Sequence, residues 1–166
     1  MSSRLWYPQL DAYDTVRRML GLLVDWPNDA LTTERLYISD FYLANPTLLH
    51  KTNMPAEVRQ EFRALHIERP EKAFLSYPSP QMLFAKMEPV QKESLRTLIG
   101  KGFVGLEALR VGRIERGASF VEIGDALAFT GHERKLIGFL STHFSRVGAG
   151  IPGDLRSATG LRRPGA

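Results

Sequence analysis

The stretch GFVGLEALRVGRIERGASFVEIG, residues 102–124, can be read in two ways, and the fold class turns on the choice. Its apolar residues recur at both two- and three-residue spacings, and glycine punctuates it throughout. Two-residue spacing is the signature of a strand, and three- or four-residue spacing that of a helix. A strand pair over Phe103–Val111 and Ser119–Ile123 is the preferred reading, and a short helix over Leu106–Ile114 is the rival. The strand pair turns the chain into a winged-helix-like domain, mainly α with a small β-hairpin. Within the same stretch Arg110, Arg113 and Arg116 fall inside seven residues. On a hairpin tip they form a basic wing, and on a helix their spacing places them on nearly one face. Either geometry makes a basic patch, weighed equally against a solvated loop that its arginines keep soluble.

Upstream, Ser79-Pro80 opens a helix, and Pro89 interrupts a pattern that otherwise runs to Lys101. A proline inside a helix removes a hydrogen bond and crowds the preceding turn. Two helices, Gln81–Met87 and Pro89–Lys101, are therefore expected, with Gly102 as the stop. Lys92, Arg96 and Lys101 on the second helix would extend the arginine patch if the two elements are neighbours. Before them, proline and aromatic residues crowd Ile67–Pro80, predicting an extended loop pinned by Phe74, Leu75 and Tyr77.

Further out the periodicity is helical. From Asp11 to Trp26 apolar residues recur at Tyr13, Val16, Met19, Leu20, Leu23 and Val24, with Asp11 as N-cap and Pro27 beyond the end. Thr32 and Thr33 cap a second helix carrying Leu36, Tyr37, Ile38, Phe41, Tyr42 and Leu43, which stops before Asn45-Pro46. So wide an apolar arc implies burial on more than one side. Pro55 begins a third helix with Val58, Phe62 and Leu65 on one face. Thr130 and Glu133 have capping-box spacing and lead into a closing helix that ends at Gly148. Residues 1–147 thus read as one domain, and residues 148–166, rich in glycine and proline with Ile151, Leu155 and Leu161 as anchors, as a flexible tail.

Composition narrows the function classes. With 43% apolar and 24% charged residues, the 166-residue chain falls in the range of soluble globular proteins. No apolar run approaches the roughly 20 residues of a membrane span, and the amino terminus lacks the apolar core of a secretory signal. Cysteine is absent, which excludes disulfides, thiolate metal sites and thiol catalysis. Cytoplasm is the expected compartment. The net charge of +4 arises partly in the tail, where Arg156, Arg162 and Arg163 stand against Asp154. The body is only mildly basic, less than a protein living on phosphate contacts requires.

No catalytic signature emerges. Gly100-Lys101-Gly102 lacks the upstream glycine and following hydroxyl residue of a phosphate loop and reads as a helix stop. No Gly-x-Ser-x-Gly elbow occurs, and the four histidines form no paired motif for a metal. Asp11, Asp14, Asp25 and Asp29 sit where helix ends place carboxylates anyway. Asp40 differs, standing in mid-helix on an apolar stretch. A buried carboxylate paired with Arg17 or Arg35 is the preferred reading over a catalytic role. No enzyme activity, cofactor or metal is expected.

Three stretches together, LWYPQLDAYDTVRRMLGLL (5–23), RLYISDFYLANPTLL (35–49) and PSPQMLFAKMEPVQKESLRTLIGKGFV (78–104), resemble the small middle components of bacterial ABC-three-component systems. These include the small subunit of Lamassu-type antiphage defence. The resemblance spans residues 4–147, and its most specific element is the aromatic RLYISDFYLANP around Asp40. It implies a non-enzymatic accessory subunit that sits on a large SMC-like ATPase and helps couple DNA sensing to an effector subunit, with DNA reached through the complex. The alternative is a free-standing winged-helix transcriptional regulator. That class requires a strongly basic recognition helix, and Pro89–Lys101 carries only Lys92, Arg96 and Lys101 against Glu93. A nuclease built on the carboxylates is a third reading.

Overall fold

A computed structural model describes residues 7–27, 31–70, 79–122, 127–149 and 154–163. Seven α-helices lie within them: α1 (Ala12–Asp25), α2 (Thr33–Ala44), α3 (Ala56–Ala64), α4 (Pro80–Gly100), α5 (Leu106–Leu109), α6 (Gly131–Thr142) and α7 (Asp154–Thr159). Short 3-10 helices occur at Pro8–Leu10, Pro46–Lys51, Phe120–Glu122 and Phe144–Arg146. Phe74, Leu75, Tyr77, Ile123, Ile151 and Asp29 lie outside the described residues.

The helix starts follow local chemistry. The Asp11 carboxylate accepts the Asp14 N–H at 2.9 Å, and the Thr32 hydroxyl accepts the Arg35 N–H at 3.1 Å. Thr130 and Glu133 form a reciprocal capping box. Each bond satisfies an amide that the first helical turn leaves without a partner. Helix α2 is the axis of the molecule, since every residue from Arg35 to Leu43 is buried. Helices α1, α4 and α6 pack around it. Phe41 meets Phe84 of α4 edge-on at 5.5 Å, and Tyr42 meets Phe144 at 5.6 Å, an arrangement that aligns ring edges with ring faces.

Five expectations are corrected. Helix α4 runs unbroken through Pro89. The proline and Ala85, whose carbonyl it leaves without an intrahelical donor, are both exposed, so the missing bond falls on the solvent side of the helix.

The hairpin of a winged helix does not form, and among the described residues there is no strand. The rival reading is the nearer one, although its helix is only the single turn of α5. The chain around α5 spends its backbone bonds on two separate partners. The Gly105 N–H donates to the Glu115 carbonyl and the Gly117 N–H to the Phe103 carbonyl, whereas the Ile114 N–H donates to the Leu31 carbonyl. The Thr33 N–H returns a bond to the Gly112 carbonyl. Two isolated bridges, Val104 with Arg116 and Thr32 with Arg113, are all that remains of extended pairing. Gly117 permits this, because a Cβ there would stand 2.1 Å from the Gly102 carbonyl oxygen.

The closing helix α6 ends at Thr142, and a 3-10 turn takes over before Gly148. The third helix begins at Ala56, with Pro55 as its N-cap.

The segment read as a flexible tail is packed over residues 154–163. Leu155 and Leu161 are buried in the core, and the Asn53 N–H donates to the Ala158 carbonyl at 2.9 Å. Gly148, at φ +71°, brings the chain back so closely that a Cβ would lie 2.4 Å from the Leu155 nitrogen. Three apolar anchors spread through a glycine-rich stretch carry no periodicity, which hid this packing from sequence.

Candidate functional site

The buried polar centre lies where α1, α2 and α4 meet. Asp40 is 0% exposed and accepts from Arg18 Nε at 2.7 Å and from Gln91 Nε2 at 2.7 Å. Arg18 also donates to the Pro8 carbonyl and the Thr15 hydroxyl. The expected partners are engaged elsewhere. Arg17 pairs with Asp14 and Glu133 on the α1–α6 face, and Arg35 donates to the carbonyls of Phe144 and Val147. Arginine at position 18 wins because one step along a helix rotates a side chain by about 100°, from the α6 side to the α2 side. Every oxygen of Asp40 is occupied and shielded from water, which is a structural rather than a reactive setting.

The six cations of the expected patch do not act as one. Arg110 and Arg113 are exposed on the loop after α5, paired loosely with Glu107 at 4.0 Å and with Glu115 at 2.9 Å. Such exposed pairs constrain a side chain little. Arg116, also exposed, folds back onto the end of α1. Its guanidinium donates to the carbonyls of Leu23, Val24 and Trp26 and lies 4.9 Å over the Phe120 ring. It closes the C-terminal end of α1, where unbonded carbonyls attract a cation. On α4, Lys92 pairs with Glu88 at 2.6 Å and Arg96 with Glu93 at 3.4 Å, and Lys101 is exposed at the helix end.

A cleft nevertheless joins the two elements. Lys92 of α4 and Gly112 of the arginine loop line one cavity of about 430 Å³, with Thr33 and Glu34 of α2 between them. Arg156 and Arg163 of the C-terminal segment complete it. Arg163 falls in the segment expected to be a flexible tail, and no local pattern could reveal its place, because its partner Gln91 is 72 residues distant. Among the described residues no group of three or more histidine and carboxylate side chains could hold a metal, and no helix is long and apolar enough to cross a membrane.

Residues 4–163 match the family model described as ABC-three component (ABC-3C) system Middle Component 5. No curated protein and no solved structure matches the chain.

Proposed function

The chain belongs to the Middle Component 5 family of ABC-three component systems, and from that premise we propose that it is a non-enzymatic accessory subunit of a bacterial antiphage or antiplasmid defence complex. In this reading it binds an SMC-like ABC ATPase and helps couple DNA sensing to an effector. The observation that carries it is the family match across nearly the whole chain. The side chains support it, since the one buried carboxylate among the described residues is consumed by Arg18 and Gln91. A winged-helix regulator is not favoured, because the residues assigned to its wing form a helical turn anchored to α2.

The contact surface in this reading is the exposed face around Arg110, Arg113 and Lys92, which suits an acidic surface of the ATPase. Co-expression with the ATPase encoded beside it tests the proposal. Arg110→Glu with Arg113→Glu should reduce co-purification while the isolated protein shows weak, salt-sensitive DNA binding in either form. Strong DNA binding by the isolated chain, lost in the double variant while the ATPase is still captured, would replace the subunit contact with a phosphate contact.

A further inference from the structure

The cleft holds a charge that nothing described so far employs. Its apolar floor is made by Tyr37, Phe84 and Leu161. On its walls Arg156 meets Glu34 at 2.7 Å and Lys92 meets Glu88 at 2.6 Å, so these charges cancel in pairs. Arg163 is left over. It is only 9% exposed, and its guanidinium lies 3.9 Å over the Phe84 ring and 4.9 Å over the Tyr37 ring, between two groups of the cleft floor. Nη2 donates to the Phe84 carbonyl at 2.9 Å and to Gln91 Oε1, whereas Nε and Nη1 are buried and have no hydrogen-bond partner. Among the described residues no carboxylate stands within ion-pair distance of it, and the nearby Asp40 is taken by Arg18 at 2.7 Å.

Burial pushes the Arg163 guanidinium below its ordinary pKa, against the pull of Glu88, Tyr37 and Asp40. Glu88 is held below the usual carboxylate range, first by its bond from Lys92 and also by the charge of Arg163. The N-terminus of α2, at Thr33 and Glu34, adds the partial positive charge of a helix start to the same cavity. Among the described residues that line the cleft, Arg163 is the cation left without an ion-pair partner.

We propose that this cleft seats an aspartate or glutamate side chain of a partner subunit, with Arg163 as its buried counter-charge. The inference rests on the accessory-subunit reading and locates the anchor of that contact. A single carboxylate matches the one uncompensated cation, whereas a phosphate would bring nearly two charges at neutral pH. The ring-lined floor suits the methylene groups that carry a carboxylate. An arginine set among aromatic rings in a desolvated pocket is the usual composition of an interface hot spot. Arg110 and Arg113, on the loop that supplies Gly112 to the cleft wall, would steer an acidic surface toward it.

The test uses the complex assembled from the full chain and its co-expressed neighbours. Thr33→Glu places a carboxylate in the cleft at the first position of α2, where a helix start favours an acid and the fold is kept. Thr33→Gln is the neutral control. The glutamate variant should weaken assembly about tenfold or more, and the glutamine variant should assemble like wild type. Equal assembly by all three proteins overturns the proposal. Binding of inorganic phosphate that is lost in Thr33→Glu while assembly is unchanged also overturns it, in favour of a small anion. Failure of the wild type itself to assemble sinks the accessory-subunit reading, and this inference with it.

Discussion

Arg18 of α1 and Asp40 of α2 face each other at 2.7 Å with 3% and 0% of their side chains exposed, so the two helices are joined by an ion pair removed from water. Removing one partner leaves an uncompensated charge in the core. Asp40→Ala should lower the unfolding free energy by about 3 to 5 kcal/mol, measured by urea titration. Arg18→Met combined with Asp40→Leu should recover much of that loss, because both charges are then absent. An unchanged midpoint for Asp40→Ala would show that the pair contributes nothing. Metal-dependent DNA cleavage that disappears in this variant, with the fold intact, would give the carboxylate a catalytic role.

Arg116 should behave unlike Arg110 and Arg113. Arg116→Ala removes the bonds to the Leu23, Val24 and Trp26 carbonyls and the stacking on Phe120, and should cost about 1 kcal/mol of stability. Arg110→Ala and Arg113→Ala, at exposed pairs, should leave the melting temperature unchanged. Equal melting temperatures for all three variants would show that the α1 end does not need its cation.

Removing residues 154–166 should destabilise the protein, contrary to what a flexible tail implies. Leu155 and Leu161 are 6% and 0% exposed, and burial of one leucine contributes about 1.5 to 3 kcal/mol. A fall of many degrees in melting temperature is expected. A truncated chain that melts like the full one would return the segment to the solvent.

Glu133 gives stability a pH dependence. Burial alone would raise its pKa, but the bond from Arg17 and the backbone bond from Thr130 prevail and hold it below the ordinary value. A carboxyl with a depressed folded-state pKa stabilises the protein above its unfolded pKa of about 4.3, and the contribution disappears as pH falls through the folded value. Glu133→Gln keeps an acceptor for the cap and loses the charge. It should be less stable than wild type at pH 7 by about 1 kcal/mol or less, and the difference should close under acid. A gap that persists below about pH 3 would assign the loss to packing.

The starts of α1, α2 and α6 were legible in the sequence because their causes are local. Asp11, Thr32 and Thr130 each bond an amide three residues on, and the continuous apolar arc of Leu36–Leu43 foretold a helix surrounded by others. A buried charge at Asp40 was legible for the same reason, as an acid amid apolar neighbours. Its partner was not, because the choice between Arg17 and Arg18 depends on which side of α1 faces α2.

Everything else depended on contacts far apart in the chain. Pro89 is tolerated because tertiary packing of α4 leaves it and Ala85 facing water. Residues 102–117 abandon the hairpin because Leu31 and Thr33 offer backbone partners that no local pattern announces. Arg116 left the patch for the end of α1, and Arg163 entered the core through Gln91 and Phe84. From the sequence came the starts of α1, α2 and α6 and their apolar faces, since hydrogen bonds within one turn and side-chain periodicity act over four residues. Which charges are buried and which pair at the surface was set by the tertiary structure, because burial and pairing arise only when distant segments meet.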